Sequence, residues 1–365
     1  MQATLDVSML VDNLTLISKI PTKHPSLQYM AHIHLQLSDD SCILTAHGIG
    51  ISVQITQTVK NITKPGECSI DCAILLQFVA TLKSKTVEIS VTDGICTCSD
   101  GETLAEIKLF EQGSYPAYIG TEHNEWYSGS GLMWSEMLKK VSFACASSDI
   151  RPELSSIYCV HKNGYLVMVA TDSFVLAETK TPSLLVHESA ILLPNKYSSE
   201  IQKFCNHMEQ CVVYFDNNSV TIESKNISVT LRTIVGSYPD YEQIIPKNFN
   251  CTIETLKEDI KNAFKSVMPF TEATFPKILV TPKPESDICD CETDYNEKGR
   301  GKSQFRALIT GELDSLRMHV QYVNTLLNNI QSSRIVLSCV DPQKPILVTT
   351  PDDVHFRALI MPLGR

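Results

Sequence analysis

A six-residue phrase occurs twice in this chain. Gly113-Ser114-Tyr115-Pro116-Ala117-Tyr118 returns as Gly236-Ser237-Tyr238-Pro239-Asp240-Tyr241, an offset of 123 residues (236 − 113). Three units of that length make 369 residues (3 × 123), against a chain of 365. The strand-like run Phe356-Arg357-Ala358-Leu359-Ile360 leads into Met361-Pro362, where a third copy would close. A long-period repeat constrains a fold more than any single motif, because every unit must bury its core in the same way. Units of this length fall in the usual domain range, and 365 residues are too many for one ordinary core. The domains expected are 1–122, 123–247 and 248–365.

Each third has the same order of elements. Apolar residues at helical spacing predict an opening helix at Ser8 to Ile20, Leu132 to Ala144 and Ile253 to Val267. A second helix is expected mid-unit, at Cys72 to Leu82, Tyr197 to Cys205 and His319 to Ile330. Between them lie alternating runs such as His32 to Leu37, Ile51 to Thr56, Val87 to Val91 and Val220 to Glu223, the pattern of half-buried strands. Polar, turn-rich stretches at Ile119 to Tyr127 and Ile245 to Asn250 read as linkers. The acidic run from Pro282 to Gly301 reads as an exposed hairpin or loop.

Composition removes several classes of function. The chain is 43% hydrophobic and 20% charged, as in soluble globular proteins, and no run is long enough to span a bilayer. Met1 to Ser8 lacks the basic start and apolar stretch of a signal peptide, which predicts a cytoplasmic protein. Its 13 cysteines are odd in number and show no framework spacing, so they read as reduced and mostly buried. Cys96-x-Cys98 and Cys289-x-Cys291 lack the spacing of a zinc site, His32 and His34 read as one exposed strand face, and no nucleophile or phosphate-loop motif is present. No catalytic residue, metal or cofactor is expected. A net charge of −10 argues against a simple nucleic-acid binder, but a global sum can hide a local basic face. Lys257, Lys261 and Lys265 recur every four residues, which puts them on one face of a helix. Lys139 and Lys140 hold the comparable place in the second unit and Lys19 in the first, while Lys83, Lys85, Lys196 and Lys203 flank the mid-unit helices. Singly these are solvated helix faces; a ring of repeats would gather them on one concave surface.

Asp149-Ile150-Arg151-Pro152-Glu153-Leu154 is followed by Gly164 to Ala177, which contains Val169-Ala170-Thr171-Asp172-Ser173-Phe174-Val175-Leu176. Next come Gly236 to Tyr241 and the terminal Leu359-Ile360-Met361-Pro362-Leu363. In that order these segments resemble the bacterial sliding clamp, the beta subunit of DNA polymerase III, across essentially the whole chain. The resemblance implies an α+β fold of three tandem clamp domains, each with two helices and antiparallel sheets. It implies a head-to-tail homodimer closing a ring around double-stranded DNA, held without sequence preference. It also implies a processivity function with no catalysis and no membrane, in which DNA polymerase, clamp loader and repair proteins dock through short linear peptides.

Carried over by motif, the peptide pocket uses Leu154, Thr171, Ser173, Phe174, Val175, Leu176, Pro239, Ile244, Leu359, Ile360, Met361, Pro362 and Leu363. DNA-facing positions are Lys19, Lys23, His24, Lys83, Lys139, Lys140, Arg151, Lys196, Lys203, Lys257, Lys261 and Lys265. The subunit interface is expected at Ile107 and Leu109 on one side and Met268 and Phe270 on the other. The family often has Gly-His-Arg where this chain has Ser173-Phe174-Val175, and its usual Met-Pro-x-Arg ending is Met361-Pro362-Leu363-Gly364-Arg365 here. Two rival readings are a monomeric peptide-binding adaptor that does not encircle DNA and a metalloenzyme built on the cysteine pairs.

Overall fold

The computed structural model describes residues 1–110, 115–121, 125–185, 189–216 and 218–364. Gly113 and Ser114 of the repeated phrase lie outside the described residues, as does Arg365. One order of elements occurs three times: strand, helix, three strands, strand, helix, three strands. The first copy runs β1 (Gln2–Asp6), α1 (Val7–Ile17), β2 (His32–Ser38), β3 (Ser41–Gly48), β4 (Ile51–Thr58), an additional β5 (Asn61–Lys64), β6 (Gly66–Asp71), α2 (Cys72–Val79), β7 (Thr86–Thr92), β8 (Ile95–Ser99) and β9 (Leu104–Lys108). The second runs β10 (Glu125–Gly129), α3 (Gly131–Ser142), β11 (Ser156–Lys162), β12 (Tyr165–Thr171), β13 (Val175–Pro182), β14 (Ile191–Pro194), α4 (Ser198–Asn206), β15 (Cys211–Phe215), β16 (Ser219–Glu223) and β17 (Ile227–Arg232). The third runs β18 (Cys251–Leu256), α5 (Lys257–Val267), β19 (Lys277–Lys283), β20 (Ile288–Glu292), β21 (Lys302–Arg306), an additional β22 (Leu308–Gly311), β23 (Leu316–His319), α6 (Val320–Asn329), β24 (Arg334–Cys339), β25 (Ile346–Thr350) and β26 (Asp353–Ile360).

The contacts divide the chain into two units, Met1–Ser135 with Ser199–Thr233, and Glu136–Ser198 with Ile234–Arg365. The first unit holds a five-stranded sheet, β5-β1-β7-β8-β9, and an eight-stranded sheet, β10-β15-β16-β17-β4-β3-β2-β6. The second holds a nine-stranded sheet, β14-β11-β12-β13-β26-β25-β24-β18-β22, and a four-stranded sheet, β21-β20-β19-β23. The middle repeat therefore gives β10 and β15–β17 to one unit and β11–β14 to the other. Two joints make the composite sheets: β17 pairs antiparallel with β4, with Leu231 opposite Ile51, and β13 pairs antiparallel with β26, with Val175 opposite Ile360.

Local chemistry explains the elements. Asp6 and Asp71 cap α1 and α2 by accepting the amides of Met9 and Ile74, at 2.9 and 3.0 Å. In β4, buried Ile51, Val53 and Ile55 alternate with more accessible Ser52, Gln54 and Thr56. Leu10, Leu14 and Ile17 of α1 are fully buried, as are Leu75 and Val79 of α2, and the two helices pack together. Ile260, Phe264 and Val267 of α5 and Leu326 and Leu327 of α6 do the same in the second unit. Each such side chain contributes about 1.5–3 kcal/mol of burial.

Three expectations about elements change. Ile253 to Leu256, predicted as helix, is strand: β-branched Ile253 and Thr255 face inward in β18 between β22 and β24, and the helix starts at Lys257. The supposed linker Ile119 to Tyr127 contains the start of β10, where Trp126 and Tyr127 are buried against Trp134 of α3. The acidic run Pro282 to Gly301 is a hairpin arm with a buried side, because Cys289 and Cys291 face the core. Its acids sit among cations: Asp290 by Lys283, Glu292 by Arg300 and Lys302, and Asp294 by Lys277.

The thiols follow the sequence reading. All 13 cysteines are free and all but the half-buried Cys145 are buried. Burial pushes the thiols of Cys42 and Cys72 up to about 12. Sγ of Cys96 lies 3.8 Å from that of Cys98 inside the first unit. Among the described residues, no group of three or more His, Cys, Asp or Glu side chains is placed to hold a metal. His32 and His34 do share a strand face, but it is covered: His34 stacks on Tyr115 at 5.1 Å and 13° and bonds Ser69 at 3.1 Å.

Candidate functional site

The chain end and the turn before β13 meet in the second unit. Past the Val175–Ile360 pair, the amide of Met361 donates to the carbonyl of Phe174 at 2.8 Å, and that of Leu363 to Arg317 at 2.8 Å. The turn is built by Asp172, whose Oδ1 accepts the amides of Phe174 and Val175 at 2.8 and 2.7 Å. Thr171 Oγ1 donates to the carbonyl of Val175 at 2.7 Å. Between them Ser173 has φ of 80°, a region that favours glycine. Across the joint the guanidinium of Arg357 donates to the buried carboxylate of Glu178 at 2.8 Å.

A groove of about 550 Å³ lies beside this joint. Ile244 and Met361, both named from sequence, line it together with Ile245, Pro246, Val340 and Pro345. Lys247 and Lys344 add cations to its rim. The latter six escaped sequence reasoning, since Val340 and Pro345 come from the β24–β25 connection, which only the tertiary fold brings to Ile244. Ile244 is exposed, as are Pro239 and Ser173. Leu154, Thr171, Val175, Leu176, Leu359 and Ile360 are buried. Leu176 and Leu359 pack with Val167, Val169 and Tyr241 and so form the solid floor of the joint. Pro362 and Leu363 are half-buried along the tail.

Phe174, 49% exposed, starts a ladder of rings. It stacks on Tyr322 at 5.1 Å and 12°; Tyr322 lies 4.4 Å from His319, and His319 meets Phe275 edge-on at 5.0 Å. Burial lowers the pKa of His319, so the ladder holds a neutral imidazole.

The basic positions fall into two groups. Lys19, Lys23, Lys83, Lys139, Arg151, Lys196, Lys203 and Lys265 are exposed, and His24 is half-buried. Three others are engaged: Lys140 with Asp353 at 2.5 Å, Lys261 with Glu258 at 3.2 Å, and Lys257 with the carbonyl of Ile330 at 2.8 Å. On α5 the three lysines lie away from the buried face of Ile260, Ala263, Phe264 and Val267. At the expected interface Ile107 is buried within its own unit and Leu109 is half-buried, while Met268 is exposed. Phe270 packs at home: a Cβ on Gly301 would come within 2.8 Å of its ring.

Residues 132–240 match the family described as DNA polymerase III beta subunit, central domain. A protein named beta sliding clamp from Buchnera aphidicola subsp. Rhopalosiphum padi is 23% identical over 376 aligned positions, covering all of both chains. The crystal structure of DNA polymerase III subunit beta from Pseudomonas aeruginosa superposes with a TM-score of 0.93 at 16% identity, again over all of both chains. A second Pseudomonas aeruginosa structure, also at 0.93, 16% and full coverage of both, is a sliding clamp bound to griselimycin.

Over its whole length the chain resembles bacterial sliding clamps.

Set against the clamp pattern, the departures noted in sequence acquire a physical meaning. The family's usual glycine falls at the φ of 80° that Ser173 must adopt here. Phe174 replaces a rim residue of the family pattern and is carried by an aromatic stack rather than by charge. Among the described residues no helix is long and apolar enough to cross a membrane.

Proposed function

We propose that this chain is a processivity clamp that encloses double-stranded DNA as a head-to-tail homodimer and tethers DNA polymerase, clamp loader and repair proteins through short peptides. Its three domains are 1–122, 123–247 and 248–365. The work is mechanical: a closed ring resists lateral loss while weak, sequence-independent phosphate contacts let it slide. The exposed cations of the helices and loops suit that contact, and the overall charge of −10 leaves the rest of the surface acidic.

One observation carries this reading. Each repeat splits into two half-sheets, and internal joints unite the half ending in β4 with that ending in β17, and the half ending in β13 with that ending in β26. Two half-sheets are left with open edges, β9 in the first repeat and β21 in the third. By position β9 corresponds to β17 and β26, and β21 to β4 and β13. The repeat therefore calls for β9 of one copy against β21 of another, which pairs edges that would otherwise template aggregation. Leu104 of β9 is 61% exposed, apolar surface that such pairing would cover. A heterologous contact of this kind closes into a ring when the rotation permits.

The partner site is the groove of Ile244 and Met361 with the Phe174 turn beside it. Its aliphatic and methionine lining suits short peptides of varied sequence. Light scattering tests the assembly: a mass near twice the 40.7 kDa chain supports the ring, and a monomer throughout the micromolar range refutes it. Retention on nicked circular DNA with loss from linear DNA is the matching functional outcome.

A further inference from the structure

The strand joint beside the Ile244–Met361 groove is repeated in the first unit, and it too has a cavity beside it. There the amide of Arg232 donates to the carbonyl of Gly50 at 3.0 Å, as that of Met361 donates to Phe174 at 2.8 Å in the second unit. The β3–β4 turn thus stands where the β12–β13 turn stands, and Pro116 where Pro239 stands. Tyr118, the counterpart of Tyr241, is tied to β17 through Ser228 and Thr230, each at 2.7 Å. Between these parts lies a cavity of about 780 Å³, with Pro116, Ile49, Ile119 and Arg232 in its wall.

We propose that this cavity is a second docking groove, which takes an extended peptide segment with apolar side chains and one carboxylate. The kind of occupant rests on the peptide reading of the Ile244–Met361 groove; the site itself does not. Its apolar wall is open to solvent, with Leu27 36%, Ile49 58% and Ile119 77% exposed. His24 also lines the cavity, its Nδ1 accepting the Ser26 amide at 3.3 Å, and the charge follows from the other groups. Asp216 lines the cavity, but its carboxylate accepts the amides of Asn218 and Ser219 and the Ser219 hydroxyl, at 2.7, 2.7 and 3.0 Å. His47 is bound on both ring nitrogens, to Ser52 at 2.7 Å and to the Pro116 carbonyl at 2.9 Å. Arg232 is exposed and makes no ion pair among the described residues, which leaves its guanidinium to receive a carboxylate. Apolar wall and single cation together select an acidic, apolar peptide over a phosphate backbone, which would leave Leu27, Ile49 and Ile119 uncovered.

The test is methyl NMR of the full-length protein, isoleucine-labelled, titrated with acetyl-Asp-Leu-Leu-Phe-amide and its Asn-for-Asp analogue. The expected result is saturable shifts at Ile49, Ile51 and Ile119, weakened at least tenfold by Arg232→Glu and by the Asn analogue, and abolished by Ile49→Glu. Ile49 lies in an exposed turn, so that substitution spares the fold; Ile244→Glu, which blocks the other groove, leaves these shifts in place. Movement of the Ile244 methyl alone overturns this proposal and upholds the partner groove. Movement of the Ile49 set alone does the reverse. Stillness of the Ile49 set at millimolar peptide, or shifts that survive Ile49→Glu, overturn the second groove.

Discussion

Ser173 holds a backbone conformation that costs a non-glycine residue of order 1 kcal/mol or more, and it does so only because Asp172 and Thr171 over-determine the turn. Ser173→Gly is therefore expected to stabilise the protein by about 1 kcal/mol, read as a higher urea midpoint; an unchanged or lower midpoint would mean that the turn is unstrained. His47 illustrates a different residue-scale effect. Its ring is 7% exposed and bound on both nitrogens, and burial, with a smaller contribution from His34, holds its pKa below 6.5 against the opposing pull of the Pro116 carbonyl. His319 is lowered by burial alone. Because the unfolded chain takes up these protons more readily, stability is full above about 6.5 and declines as pH falls through the lowered folded values. Urea midpoints at pH 7 and pH 5 should differ less in His47→Gln than in the parent, and an equal drop in both would remove His47 from the effect.

At the scale of elements, periodicity located the six α-helices of the described residues to within a few residues and missed where a strand feeds one. Cys251–Leu256 ends where Lys257 begins with no side-chain cap, so nothing in the local chemistry marks the boundary between Leu256 and the helix. Glu258 and Asp259 in the first turn and Lys265 in the last suit the helix dipole, which favours this stretch as helix once it starts. The lysine stripe on α5 lies off the buried face, though reversal gives up the Lys257–Ile330 hydrogen bond and the Lys261–Glu258 pair, so the variant's fold is checked by circular dichroism alongside. Lys257→Glu with Lys261→Glu and Lys265→Glu is expected to reduce retention on circular DNA at least tenfold at 0.1 M salt, with an unchanged solution mass. Retention equal to the parent would remove α5 from the DNA-facing surface.

At the scale of the molecule, the proposed ring places assembly at the two half-sheets with open edges, β9 and β21. Leu104→Asp places a charge on the exposed rim of β9 without touching its buried Ile107. The expected outcome is a dimer weakened tenfold or more by light scattering, with a normal circular dichroism spectrum; an undiminished dimer would move the interface away from β9. The thermal midpoint of the monomer should be unchanged, since Leu104 is 61% exposed.

The sequence alone determined what depends on local pattern or on repetition. The 123-residue offset set the number of repeats, helical spacing set α1 to α6, and alternation set strands such as β2 and β4. The Thr171–Leu176 and Met361–Leu363 segments could also be named from the chain, because they are short contiguous motifs. Tertiary structure decided what depends on meetings between distant segments. It divided the middle repeat between two composite sheets, since edge pairing joins β17 to β4 and β13 to β26 across more than a hundred residues. It put Val340 and Pro345 beside Ile244, turned Lys140 to Asp353, and sank Leu176 and Leu359 into a floor. The physical reason is that hydrophobic spacing reports which face of an element is buried, whereas the partner that buries it is chosen by backbone pairing and packing over long range.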